Sequence, residues 1–240
     1  MASSTARRAG TLARMNDSPK KLLDCVVRET GPEPEHAVVW LHGLGADGND
    51  FVPIVPHLQS AARRPVRFVF PNAPVRPVTI NGGMAMRAWY DILGMEIDRD
   101  QDREGIARSI AQVEALLDHQ IAQGIAPENL ILAGFSQGGA IALRTGLARR
   151  PALAGIMVLS AYLLEADGLG DWAAPEAAKV PLFIGHGSHD PVVPVGLGQR
   201  SAEQLQAAGY PVEWQTWPME HAVCPEEIVA IDQWLERCWA

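Results

Sequence analysis

Short apolar runs alternate along the chain with stretches whose apolar residues fall three and four positions apart. HAVVWLHG, VRFVFP (66–71), NLILAG, GIMVLSA and VPLFIGHG are continuous apolar runs of strand length, each closed by glycine, proline or a small residue. Continuous rather than alternating apolarity marks strands covered on both faces. KLLDCVVRE mixes apolar and polar positions as an edge strand does, and the GPEPE after it ends the run. PVEWQTW supplies a further strand late in the chain.

Between these runs the period changes to that of a helix. Ile106, Ile110, Val113, Leu116, Leu117 and Ile121 predict an amphipathic helix over 102–123, ended by Gly124. Phe51, Ile54, Val55, Leu58 and Ala62 predict another over 49–62, with prolines near its start. Further helices are expected over 137–149, near 197–208, and from Pro225 to Arg237. Residues 71–98, rich in proline and containing Gly82-Gly83, read as a long loop of the kind that is usually functional. Strands alternating with helices imply an α/β fold, a parallel sheet with helices on both faces. In such sheets reactive groups gather beyond the carboxyl ends of the strands, so every candidate residue should lie just after a strand.

The stretch GFSQG (134–138) meets that requirement, because an apolar strand precedes it and a helical pattern follows. It fits G-x-S-x-G, a weak match alone that gains weight from the strand–turn–helix context. The glycines would let a strand turn sharply into a helix, presenting Ser136 at the helix N-terminus; the alternative is a serine that merely caps the helix. A serine hydroxyl needs a base to become a nucleophile. Of seven histidines, His221 lies after PVEWQTW and before the last helix, in a loop able to reach the serine. Asp190, in HGSHDPVVP after the preceding strand, is placed to orient it. Ser136, Asp190, His221 is the chain order expected of a hydrolase triad. His186, His189 and Asp190 could alternatively bind a metal, but no further ligands at zinc-like spacing accompany them. Gln137 N–H, next to the serine, and Leu44 N–H, in the glycine-rich LHGLGADGND, are the expected oxyanion donors.

Together, LHGLGADGNDF, PNAPVRPVTINGGMAMRAWYDI, GFSQGGAIAL, SAYL, GHGSHDPVVP and MEHAVCPEEI resemble the bacterial carboxylesterase/phospholipase family, related to the acyl-protein thioesterases. The resemblance runs over roughly residues 22–236. It implies a single-domain α/β-hydrolase fold over 21–240 without a large cap domain, and it assigns Ser136, Asp190 and His221 as triad with Leu44 and Gln137 at the oxyanion hole. It also places Trp89 beside the site, as a substrate-binding wall of the acyl pocket or as a buried aromatic anchor, and lets 92–101 overhang the site. The implied activity is carboxylic-ester hydrolysis through an acyl-enzyme, with no metal or organic cofactor. The alternative is an acyl-protein thioesterase or lysophospholipase acting on longer acyl chains. A non-catalytic binding protein of the same fold would be expected to have lost a triad member, and all are retained.

Composition adds limits. With 48% apolar and 20% charged residues the chain can bury a large core, and a net charge of -8 disfavours nucleic-acid partners. The expected partner is a small-molecule or lipid-like ester, with the protein a monomer or homodimer. Three cysteines without a CxxC pair suggest a reducing compartment, and no apolar run is long enough to span a bilayer, so a cytoplasmic location is expected. Residues 1–20, with Arg7, Arg8 and Arg14, read as a disordered extension or a misassigned start, Met15 being the more ordinary one; a transit segment is the alternative.

Overall fold

The computed structural model describes residues 22–96 and 100–240. The expected N-terminal extension therefore lies outside the described residues. Among the described residues, seven strands form one sheet in the order β1-β3-β2-β6-β7-β8-β9. They are β1 (Cys25–Glu29), β2 (His36–Leu41), β3 (Val66–Pro71), β6 (Leu130–Phe135), β7 (Gly155–Leu159), β8 (Leu182–Gly187) and β9 (Val212–Trp217). Every neighbouring pair is parallel except β1 with β3, where Cys25 faces Pro71 and Glu29 faces Arg67.

Side-chain alternation on the inner strands explains why their sequences are apolar throughout. Val39 and Leu41 of β2, Leu132 of β6, Val158 of β7 and Ile184 of β8 enter one core. That core is closed by α2 (Arg103–Ala122), α3 (Gln137–Ala148) and α5 (Val195–Ala207). Val38, Trp40, Ala133, Met157 and Phe183 enter the opposite core, closed by α1 (Gln59–Ala62) and α6 (Pro225–Cys238). With both faces covered, an alternating pattern would leave polar groups in a dry interior. The remaining helix, α4 (Leu169–Trp172), sits in the loop between β7 and β8.

Two expectations need correction. The helix expected over 49–62 is a 3-10 turn, Val52–His57, followed by the single turn of α1. Pro56 lies inside it and lacks an amide donor, and Leu58 is extended at φ -89°, ψ 102°, so one continuous helix cannot form. The segment 71–98 is not a plain loop: β4 (Val75–Val78) and β5 (Met84–Arg87) form an antiparallel hairpin. Its turn runs through Gly82 and Gly83 at φ 65° and 78°. The strands are short, carry Pro77 and are largely exposed, so they lack the apolar periodicity of the main sheet. Of the segment 92–101, an isolated bridge joins Ile92 to Gln101.

The strand order fixes where a ligand can enter. From β2 the chain proceeds outward to β3, whereas from β6 it proceeds the other way to β7, β8 and β9. In sheets of this kind ligands bind where the direction reverses, beyond the carboxyl ends of the strands, which here are those of β2 and β6. Leu132 lies at the centre of this arrangement with no exposed surface. Leu132→Ala should lower stability by about 2–5 kcal/mol, read as a shift in the urea midpoint; a loss below about 1 kcal/mol would mean that the central strand is not packed as described.

Candidate active site

Ser136 stands at the reversal point, directly after β6 and before α3. Its backbone adopts φ 53°, ψ -123°, a conformation that costs a non-glycine residue strain and that occurs where the surroundings impose it. The serine occupies the N-cap position of α3, but its side chain makes no capping hydrogen bond to the helix. Its amide donates to Leu159 O (2.8 Å), which holds the turn to the end of β7.

The flanking glycines have a measurable steric cause. A Cβ on Gly134 would lie 2.4 Å from Gly138 O, and one on Gly138 would lie 2.5 Å from His42 O and 2.6 Å from Leu41 O. The first turn of α3 thus rests directly on the end of β2. The loop after β2 passes just as close: a Cβ on Gly43 would lie 3.4 Å from Ser136 Cβ.

Asp190 and His221 meet as expected from their order. His221 Nδ1 donates to Asp190 Oδ2 at 2.6 Å, the tautomer following from a partner that only accepts. Asp190 Oδ1 accepts from the amides of Val192 and Val193, each at 2.8 Å, so the carboxylate is fixed on both oxygens. The imidazole lies against Phe135, the residue before the serine, with ring centroids 4.7 Å apart. That contact brings His221 alongside the Ser136 turn and leaves Nε2 free of Asp190.

The loops bearing the two residues are tied by their backbones. Ser188 N donates to Trp217 O (2.8 Å) and His189 N to Met219 O (3.1 Å). Gly187 makes the approach possible, since a Cβ there would lie 2.1 Å from Glu220 O. His186 sits behind Asp190, fully buried, its Nε2 donating to Val193 O (2.9 Å) and lying 3.5 Å from Asp190 Oδ2. Burial holds its pKa below the ordinary histidine value, and a neutral ring supports Asp190 without competing for it.

The proposed oxyanion donors lie at the start of α3 and in the loop after β2, two segments that come together at Ser136 and Gly43. Gln137 N is the first amide of α3 and has no partner within the helix. In the facing loop, Gly45 N donates to Arg87 O (2.9 Å) and Ala46 N to Gly43 O (3.3 Å), and Leu44 N meets no acceptor among the described residues.

Several residues that organise these loops were not singled out by the sequence for that role. The Gln137 side chain accepts from Trp89 N (2.7 Å) and donates to Tyr90 O (2.8 Å). Trp89 has no exposed surface, and its Nε1 donates to His42 O (2.8 Å), so it anchors the post-β2 loop to α3 and in this state offers no surface to a ligand. His42 donates from Nδ1 to Gly43 O (2.7 Å) and accepts at Nε2 from Ala73 N (3.0 Å), which requires the neutral ring. Burial lowers its pKa in the same sense. Asp91 accepts from Thr79 N (2.7 Å) and Oγ1 (2.6 Å), binding the turn end of the hairpin to the segment after Trp89. The sequence signals for these ties were that His42 follows a strand and that Trp89 had a buried aromatic anchor as one of its two readings.

A separate cavity of about 680 Å³ lies between α3, α5 and the post-β7 loop, lined by Arg144, Glu165, Trp172 and Gln204 among others, and includes none of Ser136, Asp190 or His221. Arg144 is already engaged there, stacked 3.8 Å from the Trp172 ring centroid and paired with Glu165 at 2.8 Å. Among the described residues no helix is long and apolar enough to cross a membrane.

A family profile described as Phospholipase/Carboxylesterase matches residues 23–239. An acyl-protein thioesterase 1 from Gibberella zeae is 38% identical over 209 residues, covering 83% of this chain and 89% of that protein. A probable carboxylesterase from Oryza sativa subsp. japonica is 36% identical, covering 83% of this chain and 76% of that protein. The crystal structure of Zea mays acyl-protein thioesterase 2 superposes with a TM-score of 0.77 at 30% identity, covering 90% of this chain and 99% of that one. These relatives are fungal and plant proteins, so the bacterial qualifier of the expected family finds no support in them.

The close contact at Gly138 yields a test of the site's construction. Gly138→Ala should displace the end of β2 and with it the facing loop, lowering kcat for a p-nitrophenyl ester at least about tenfold, the cost of a small misplacement of oxyanion donors. Unchanged kcat would show that the two loops are not set by this contact.

Proposed function

Because the chain belongs to the Phospholipase/Carboxylesterase family of α/β-hydrolases, we propose that it is a serine hydrolase of the acyl-protein thioesterase and lysophospholipase type, cleaving acyl thioesters and esters of long chain length. The observation that carries the catalytic part is the His221–Asp190 hydrogen bond packed beside a strained Ser136. The thioester part is supported by the names of the fungal relatives.

In this reading His221 Nε2 takes the proton from Ser136 Oγ as the oxygen attacks the acyl carbonyl. Asp190 keeps Nδ1 protonated and stabilises the imidazolium that forms. The negative charge on the former carbonyl oxygen rests on the amides of Leu44 and Gln137, with the N-terminus of α3 adding its positive end. Collapse of the tetrahedral species expels thiolate or alkoxide, to which His221 returns the proton. Water, deprotonated by His221, then attacks the acyl-serine, and a second collapse releases the acid and restores Ser136. Every step uses side chains or amides of this chain.

Apolar surface near the site favours a lipid-like acyl group. Val75, Ile80, Met84, Leu93 and Met95, all within 75–95, are exposed, and the segment is joined to the Leu44 loop by Gly45 N to Arg87 O. A second reading, a carboxylesterase for shorter esters, is favoured by the rice relative's name.

Acyl length separates the two. With p-nitrophenyl esters from acetyl to decanoyl, kcat/KM should rise by up to about fourfold per added methylene, the value of one buried CH₂, and a palmitoyl thioester should be turned over. A maximum at acetyl or butyryl with no thioester cleavage would assign the shorter-ester reading instead. Ser136→Ala and His221→Ala should each lower kcat by about 10³-fold or more, and Asp190→Asn by a large but smaller or equal factor. Retained turnover in Ser136→Ala would remove the serine from the mechanism.

A further inference from the structure

The triad reading leaves one buried acid without a role. Glu227 lies in the first turn of α6 and has no exposed surface, and neither of its carboxyl oxygens meets a hydrogen-bond donor among the described residues. A buried carboxyl with no partner is costly and uncommon, and it calls for an explanation. Its surroundings are shaped to hold it. A Cβ on Gly185 of β8 would lie 2.2 Å from Glu227 Oε1, 3.1 Å from the Trp217 ring and 3.2 Å from the Phe183 ring. The absence of a side chain at Gly185 is what admits the carboxyl between strand and helix.

Among the described residues, no charge acts on it from a packed element. On β8, His186 is turned the other way, against Gly198 of α5. On β9, Glu213 is held by Arg237 of α6. Asp232 of α6 accepts from Ser60 N of α1 (2.8 Å). In the loop between β9 and α6, His221 is directed to Asp190. With burial as the only influence, the Glu227 pKa is pushed up to about 8, so the side chain is the neutral acid at pH 7.

The position of this wedge matters because it joins the supports of two triad members. Gly185 is followed along the chain by Gly187 and Asp190, and Glu227 is preceded by the loop that carries His221. That loop is clamped to the end of β8 on one side by the Ser188 and His189 amides. The first turn of α6, seated on Gly185 through Glu227, holds its other side.

We propose that Glu227, as the neutral acid, is a positioning residue that sets the spacing between the Asp190-bearing end of β8 and the His221-bearing loop. Ionisation places a bare carboxylate in a dry space, and the first turn of α6 shifts to let water reach it, drawing His221 from its seat. The inference rests on the triad reading above. It differs from what the triad alone predicts: once His221 is deprotonated, a Ser-His-Asp enzyme should hold its kcat on the alkaline side.

The test is the pH dependence of kcat for a soluble p-nitrophenyl ester between pH 6 and 9.5, in the wild type, Glu227→Gln and Glu227→Ala, each checked for folding by circular dichroism. The wild type should lose activity above about pH 8 with single-proton steepness, falling about tenfold at pH 9, where one carboxyl in eleven remains protonated. Glu227→Gln keeps the shape but cannot ionise; it should retain kcat within about threefold at pH 7 and show no alkaline fall. Glu227→Ala should lower kcat at pH 7 with KM little changed, a loss that Gln rescues. Stability follows the same sign. The folded pKa lies above the unfolded one, so the stabilisation from neutral Glu227 is complete below about pH 4.5 and is lost as pH rises to about 8; this slope in Tm should be absent from Glu227→Gln.

A flat wild-type profile from pH 7.5 to 9.5, or an alkaline fall that persists in Glu227→Gln, would overturn the proposal, and the wild-type profile decides even if a variant does not fold. Failure of the triad reading would look different, as turnover surviving in Ser136→Ala or His221→Ala.

Discussion

The first turn of α3 rests on the carbonyls of Leu41 and His42, and only a glycine at position 138 permits it. That approach ties the end of β2 to the end of β6 at the place where the sheet changes direction. It also brings the loop after β2 against the Ser136 turn, where a Cβ on Gly43 would lie 3.4 Å from Ser136 Cβ. Once α3 is seated there, the Gln137 side chain is directed to the Trp89-Tyr90 backbone, and Trp89 returns a hydrogen bond to His42 O. The circuit closes on itself: the loop that would receive the oxyanion is held by the residue whose amide would donate to it. The strained backbone of Ser136, at φ 53° and ψ -123°, is sustained by this over-determined packing.

Two buried acids at the other side of the site live under opposite conditions. Asp190 receives the Val192 and Val193 amides and the His221 ring, which together provide the polar partners that a carboxylate requires in a dry place. Glu227 receives none and stays protonated at neutral pH. Both are reached through small residues at the end of β8. Gly187 admits the loop backbone and Gly185 admits the Glu227 carboxyl, so one strand terminus governs how His221 is presented.

The sheet was legible because β2, β3, β6, β7 and β8 are apolar on both faces, and a run as short as LILAG, bounded by glycine, suits a doubly covered strand. The Ser136, Asp190, His221 order was legible because each follows a strand, and the structure does bring Asp190 and His221 into contact. Less was readable where local pattern and tertiary packing part company. The β4–β5 hairpin is exposed and carries proline, so it left no periodic trace; the expected helix at 49–62 ignored what Pro56 does inside a helix. The polar ties were invisible for a different reason. Gln137 reaches Trp89 across 48 positions and His42 reaches Ala73 across 31, and no local spacing encodes such pairings. Glu227 was not singled out by the sequence: an acid in the first turn of a helix, where the dipole favours negative charge, gives no local sign that it points inward.

The central claim is that Ser136 is the nucleophile prepared by this packing. Its most direct measurement is stoichiometric labelling of the folded protein with a fluorophosphonate, followed by mass mapping of the modified peptide. One adduct per chain is expected, on Ser136, formed fast in the wild type and slowed severely in His221→Ala. An adduct on another residue, or labelling that is indifferent to His221, would contradict that claim.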